Sequence, residues 1–119
     1  MILDDGARGR DVCDLETIGR TSGQPRVIEI WFAADADRLY LLSGGRDDAH
    51  WVRNLQQEPR VRVRIGRRWY TGTARTIEGE PDEQHAREML AAKYQGWSAG
   101  RRLSGWARES LPVAIDLSQ

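Results

Sequence analysis

Arg60-Val61-Arg62-Val63-Arg64-Ile65-Gly66-Arg67-Arg68-Trp69-Tyr70-Thr71 is the stretch on which the fold turns. Val61, Val63 and Ile65 alternate strictly with three arginines. That period of two belongs to a strand with one buried and one wet face. Gly66 and Arg67 make a tight turn, and Arg68 to Ile77 returns as the partner strand. Strands joined by hairpins rule out a doubly wound parallel sheet, which needs a helix between strands.

Working outward, Val12 to Ile18 alternates as a modest strand, and Gly19 to Pro25 is a turn rich in Gly, Ser and Thr. Arg26 to Ala34 is apolar on both faces apart from Glu29, which reads as a central strand. After a turn at 35–37, Arg38 to Ser43 returns, so these three strands read as a meander. Gly44 and Gly45 break the pattern. Asp47 or Asp48 is placed to cap a helix carrying Trp51 and Leu55, which must stop before Pro59. A second helix starts at Glu80-Pro81-Asp82 and runs to about Lys93 or Tyr94, with Ala86, Met89, Leu90 and Lys93 on one side. A glycine-punctuated stretch holding Trp97 and Trp106 follows, and Pro112 to Leu117 closes as a last strand. The expectation is a mainly β (α+β) fold, a barrel of about six antiparallel strands with two or three peripheral helices, in a single domain over 1–119.

Composition narrows the function. The chain has 119 residues, 39% of them hydrophobic, enough for one core, part of which a partner subunit is expected to complete. Cys13 is the sole cysteine, which excludes an internal disulfide and a cysteine-based metal site; His50 and His85 lack paired spacing, so no metal is expected. No apolar run approaches the roughly 20 residues that span a bilayer, and 1–10 is polar, so the cytoplasm is the expected location. Eighteen basic residues balance eighteen acidic ones, yet Arg60, Arg62, Arg64, Arg67 and Arg68 form a local stripe. A neutral chain with such a stripe suits an anionic small molecule better than a nucleic acid. On the bland reading the stripe is solvated or paired with Glu78 and Glu80.

The Gly19–Arg26 turn reads in two ways. Its backbone N–H groups, flanked by Arg20 and Arg26, form a phosphate cradle, or it is an ordinary hairpin turn with Gly23 at positive φ. Gly44 and Gly45 either admit a flat ring or serve the backbone of a strand-to-helix connection. His50 reads as a surface residue, Trp51 as core alongside Leu55, and Asn54 as a cofactor contact or a pin for the helix end. Tyr94 and Trp97 are either aromatic packing against the barrel or part of a site.

Together, Gly19-Arg20-Thr21-Ser22-Gly23-Gln24-Pro25-Arg26, Ser43-Gly44-Gly45, Trp51-Val52-Arg53-Asn54-Leu55 with Pro59, Ala92-Lys93-Tyr94-Gln95-Gly96-Trp97 and Leu111-Pro112-Val113-Ala114-Ile115-Asp116-Leu117 resemble the deazaflavin-dependent nitroreductase and quinone reductase family. That family belongs with the split-barrel flavoproteins related to pyridoxamine-phosphate oxidase. The ordered blocks span roughly 15–117. The resemblance implies a homodimer with coenzyme F-420 in a groove of the barrel. It implies hydride transfer to a small electron-poor acceptor such as a quinone, enone, nitro-compound or tetrapyrrole. Arg20, Thr21, Ser22, Gly23, Gln24, Pro25, Arg26, Ser43, Gly44, Gly45, Trp51 and Asn54 would touch the cofactor. Ser43 would lie near the reacting ring, and Tyr94, or water in its place, would donate the proton. Two departures concern the phosphate side: Thr21 stands where many relatives carry lysine, and the loop 46–49 is short. They keep FMN open as the cofactor of a reductase or oxidase. A cofactor- or small-ligand-binding protein without turnover is the remaining alternative.

Overall fold

A computed structural model describes residues 2–118. The deciding hairpin is present: β5 (Arg60–Ile65) and β6 (Arg68–Thr76) pair antiparallel, with Ile65 opposite Arg68 across the turn. Val61, Val63 and Ile65 are buried and the alternating arginines exposed. Around it stand β1 (Cys13–Ile18), β2 (Pro25–Ile30), β3 (Ala33–Asp35), β4 (Arg38–Ser43) and β7 (Leu111–Ser118). Helices α1 (Asp5–Arg8), α2 (His50–Gln57), α3 (Glu83–Gln95) and α4 (Gly105–Glu109) lie outside. All strand pairs are antiparallel, in one sheet ordered β2-β1-β5-β6-β7-β4-β3. The expected mainly β split barrel with peripheral helices is the fold.

The stretch 26–34 departs from expectation. It is not one central strand but two pieces, β2 and β3, forming opposite ends of the sheet. The expected meander is therefore two hairpins, β1–β2 and β3–β4, held apart by β5, β6 and β7. Only Trp31 and Phe32 separate β2 from β3, and two extended residues span about 7 Å. The ends of a seven-stranded sheet come that close only if it curls onto itself, so this apolar run closes the barrel. Its hydrophobicity serves that closure: Phe32 is fully buried, and Ile28 and Ile30 pack on the core. Val27 and Trp31 face outward, 53% and 43% exposed.

Tight curling leaves its mark at Gly72 in the middle of β6. A Cβ there would lie 2.7 Å from Ile115 Cγ2 and 2.9 Å from the Asp116 carbonyl, so β6 and β7 approach closely only because the residue is glycine. One core fills the barrel around Leu15, Leu39, Leu41, Leu55, Val63 and Ile115. A second lies under α3, where Ala86 and Leu90 cover Tyr40, Leu42, Ile77 and Ala114. Arg87, 5% exposed, donates to the carbonyls of Ala107 and Ser110 and to Glu83, tying α3 to the α4–β7 connection.

Two helix starts also differ. Asp47 and Asp48 lie in a short 3-10 turn over 46–48, and the α2 N-cap is Ala49 with no side-chain bond. Helix α3 begins at Glu83 rather than at Pro81.

Candidate functional site

A groove of about 490 Å³ opens where the β1–β2 turn faces the first turns of α2. Thr17, Gly19, Arg20, Thr21, Ser22, Arg26, Ile28, His50, Trp51 and Asn54 line it. Six of the residues expected to touch the cofactor meet here: Arg20, Thr21, Ser22, Arg26, Trp51 and Asn54. Gly23, Gln24 and Pro25 belong to the turn but not to the lining.

The turn is self-bonded. Gly19 N–H donates to the Gln24 carbonyl at 2.8 Å, and Gly23 N–H, at φ +71°, donates to the Gly19 carbonyl. Gln24 N–H donates to the Ser22 hydroxyl. The cradle is thus narrower than the sequence suggests: only the N–H groups of Thr21 and Ser22 keep no partner among the described residues.

Asn54 sets the position of that turn. Its Oδ1 accepts from the Arg20 N–H at 3.1 Å and from the Arg20 guanidinium at 2.9 Å. Its Nδ2 donates to Thr17 Oγ1 at 3.2 Å. The amide is buried and held on both sides by the protein itself, so Asn54 acts on the groove through Arg20. The second guanidinium nitrogen of Arg20 lies 3.0 Å from His50 Nδ1. Arg26 reaches the Ser22 hydroxyl at 3.4 Å.

Neither Arg20 nor Arg26 has a carboxylate partner among the described residues, and no carboxylate lines the groove. Three of the five hairpin arginines are the reverse. Arg62 pairs with Glu16 at 2.5 Å, Arg64 with Asp14 at 2.5 Å and Arg60 with Glu58 at 3.1 Å. The partners expected from the sequence are engaged elsewhere, Glu78 with Arg46 and Glu80 with Arg75. The partners of Arg62 and Arg64 stand on β1, which lies beside β5, and that of Arg60 just ahead of β5 in the chain. Trp69 completes that face under the guanidinium groups of Arg62 and Arg64.

Ser43, Gly44 and Gly45 lead from β4 toward α2. Ser43 is buried and its hydroxyl donates to the Arg46 carbonyl at 3.0 Å. The positive φ of this connection falls on Arg46, at +52°, not on either glycine. A Cβ on Gly44 would come no nearer than 3.9 Å to Trp106, and one on Gly45 no nearer than 3.7 Å to Ala49, both ordinary contacts. Neither glycine is demanded by its backbone or by packing within the chain.

Trp106 leads to an aromatic group the sequence only half revealed. Trp31 stacks on Tyr94, with centroids 4.3 Å apart and planes 4° from parallel, and meets Trp106 edge-on at 5.4 Å. The Tyr94 hydroxyl accepts from Phe32 N–H at 3.0 Å and lies 2.7 Å and 2.9 Å from the carbonyls of Asp11 and Phe32. Burial pushes its pKa up. Lys93 donates to the carbonyls of Arg8, Arg10 and Phe32 and sits 3.9 Å over the Phe32 ring. Burial pulls its pKa down. Tyr94 and Lys93 thus clasp the barrel closure, and neither lines the groove. Trp97 bonds within its own loop, to the Arg101 carbonyl. Sequence reasoning missed Trp31, Ile28 and Thr17. For Trp31 the available signal was an aromatic residue on a run that had to turn a corner.

A single curled antiparallel sheet, closed between its two end strands and carrying a cation-lined groove against a helix, defines a split β-barrel. Among solved structures it is similar to an F420-H2 dependent reductase, at 23% identity over 92% of this chain and 95% of that one, TM-score 0.65. A protein from Listeria innocua named for pyridoxamine 5'-phosphate oxidase matches at 19% identity over 96% and 89%, TM-score 0.70. A chain solved as a domain-swapped dimer matches at 23% identity over 99% and 84%, TM-score 0.66. The family model of the F420H2-dependent quinone reductases matches residues 5–118, and the chain belongs to that family of oxidoreductases. No helix among the described residues is long and apolar enough to cross a membrane.

Proposed function

We propose that this oxidoreductase binds reduced coenzyme F-420 in the groove between the β1–β2 turn and α2, and serves a small electron-poor acceptor, a quinone first of all, with enones, nitro-compounds and tetrapyrroles in the same class. Bound F-420 supplies the hydride. The observation that carries the reading is the pair Arg20 and Arg26, two guanidinium groups beside a groove without a carboxylate. Nine other arginines pair with acids among the described residues, whereas these two stand together without one in a groove of small-molecule size, which suits an outside anion.

The rest of the groove fits the same guest. Thr21 and Ser22 present two N–H groups beside the arginines, which suits a phosphate oxygen. Ile28 and Trp51 supply apolar walls for a flat ring. Outside the groove lining, Gly44 and Gly45 have no internal need to be glycine, which fits backbone approached closely from outside. A volume of about 490 Å³ is that of a small-molecule site. The exposed Trp31, backed by Tyr94 and Trp106, offers a platform for a planar acceptor.

In this reading Ser43 and Tyr94 hold the frame. Ser43 fixes the turn after the glycine pair, Tyr94 fixes the barrel closure, and the proton that completes the reduction comes from water. The outward Val27, on an end strand of the sheet, fits coverage by a second copy, and a structural relative is itself a dimer. The cytoplasm, where a lone buried thiol stays reduced, is the fitting compartment. FMN on the same groove is the second reading. It is favoured by Thr21, which brings no charge to the phosphate side, and by the pyridoxamine-phosphate-oxidase-like relative.

A titration of the protein with F-420 and with FMN, followed by tryptophan quenching, tests the proposal, since Trp51 lines the groove. Micromolar binding of F-420 with reduction of a quinone by the reduced coenzyme is the expected result. Preference for FMN would move the protein to the second reading, binding without turnover would make it a cofactor carrier, and silence with both would overturn the site.

A further inference from the structure

His50 stands at the rim of the groove as the first residue of α2, exposed, with its Nδ1 3.0 Å from a guanidinium nitrogen of Arg20. Guanidinium only donates, so Nδ1 must accept, and the ring must be neutral with its proton on Nε2. Arg20 is held at its other nitrogen by Asn54 Oδ1 at 2.9 Å and, more loosely, by the His50 carbonyl at 3.5 Å. The hydrogen bond to the imidazole is therefore the replaceable one. A guest anion that takes the fork of Arg20 leaves Nδ1 without its donor and brings negative charge to the same spot.

We propose that His50 is a ligand of the groove's anionic guest, and that it takes up one proton from solvent at Nδ1 as the guest displaces it from Arg20. The step balances: the neutral imidazole gains a proton, keeps the one on Nε2, and the resulting cation donates to the anion. The inference rests on the proposed anionic cofactor in this groove.

The charges around His50 favour that assignment. From the β1–β2 turn and β2 it faces Arg20 and Arg26, both cationic. Within its own helix, Arg53 turns away to Asp48 and the Asp47 carbonyl. The 46–48 turn carries Asp47 and Asp48, engaged by Gln56 and Arg53, and Arg46, paired with Glu78. From β1, Glu16 points to the opposite face and pairs with Arg62. On β6, which also packs against α2, Arg75 is held by Glu80 and Asp116, and Arg68 lies over Tyr70. The groove lining itself offers no acid to hold a proton on His50, so the guest must be the group that does.

Calorimetric titration of the protein with F-420, and separately with FMN, in buffers of different ionisation enthalpy counts the protons taken up on binding. The His50→Gln variant keeps an oxygen acceptor for Arg20 and removes the titration, and any ionisation of the ligand itself is common to both proteins. The expected result is a proton uptake on binding that exceeds that of the variant. With it, affinity rises from pH 8 to pH 6 about three- to tenfold more in the wild type than in the variant. Imidazole nitrogen NMR shifts should report an Nε2–H ring in the free protein and a doubly protonated ring in the complex. Equal uptake and equal pH profiles in the two proteins would overturn this inference and leave the proposed function standing. Binding of neither cofactor between pH 6 and 8 would overturn both.

Discussion

The β5–β6 hairpin and the β1–β2 turn are both marked by arginine, and the structure uses the residue in opposite ways. On the hairpin, Arg60, Arg62 and Arg64 stand two residues apart and each meets a carboxylate, from Glu58, Glu16 and Asp14. At the turn, Arg20 and Arg26 meet only amide, imidazole and hydroxyl groups of the chain. Those three hairpin arginines are thus neutralised within the chain, and the sparser pair at the turn is the charge on which the proposed site rests. Density of basic residues in a sequence is a weaker sign of a binding site than cations whose counter-ions the fold withholds.

That contrast is easiest to break at its functional end. Replacing Arg20 and Arg26 together by alanine should weaken cofactor binding at least about a hundredfold, since hydrogen bonds to charged groups contribute about 1.5–3 kcal/mol each. Fluorescence titration checks it, and a loss below about threefold would mean the groove is not the anion site. Asn54→Leu should act on both stability and binding. It strands Thr17 and the Arg20 N–H, costing about 1–3 kcal/mol in denaturant unfolding, and frees the Arg20 fork, weakening binding about tenfold.

Tyr94→Phe separates frame from chemistry. Losing the acceptor for Phe32 N–H should lower stability by about 1–2 kcal/mol while reduction by F-420 at saturation stays within about threefold. A fall in turnover of a hundredfold or more with stability unchanged would instead make Tyr94 the proton donor. Arg62→Ala should have the smallest effect, below about 1 kcal/mol and with binding unchanged, because the Arg62 side chain is about half exposed.

Acid should also act on the hairpin face and at the start of α3. The hydrogen bond from Arg62 holds the Glu16 carboxyl below its ordinary range, and a backbone N–H from Gly79 with the guanidinium of Arg87 does the same for Glu83. A carboxyl lowered in the folded state adds stability that is present above its unfolded value, near 4.5 for both groups, and is lost as pH falls through the folded one. Urea midpoints should therefore be flat through neutral pH and decline below about pH 5, with Arg62→Ala removing part of that decline. A midpoint that rises on acidification would show that these pairings do not stabilise the fold.

The local patterns carried far in the sequence. Val61, Val63 and Ile65 placed a hairpin with a buried face, and Gly66 placed its turn, because alternation and turn chemistry act between neighbours. Helix α2 was legible from Trp51, Leu55 and Pro59 for the same reason, and 19–25 was legible as a turn between strands. Whatever needed residues far apart in the chain was hidden. The run 26–34 has the apolar content of a central strand, yet whether its burial comes from two covered faces or from closing a barrel depends on which strands flank it. The partners of the arginine stripe were hidden likewise, since Glu16 and Asp14 lie 46 and 50 residues from Arg62 and Arg64.

By itself, then, the sequence determined the antiparallel β character, the hairpins, the two principal helices and the family, because each of these is written in short-range periodicity or in short ordered blocks. Tertiary structure alone decided where the barrel closes, that Asn54 positions Arg20, that Tyr94 bonds to Phe32 across the closure, and which arginines are left without acids. The physical reason is that pairing of charges and satisfaction of buried polar groups are properties of contacts, and here the deciding contacts join strands and helices that the chain itself keeps thirty residues or more apart.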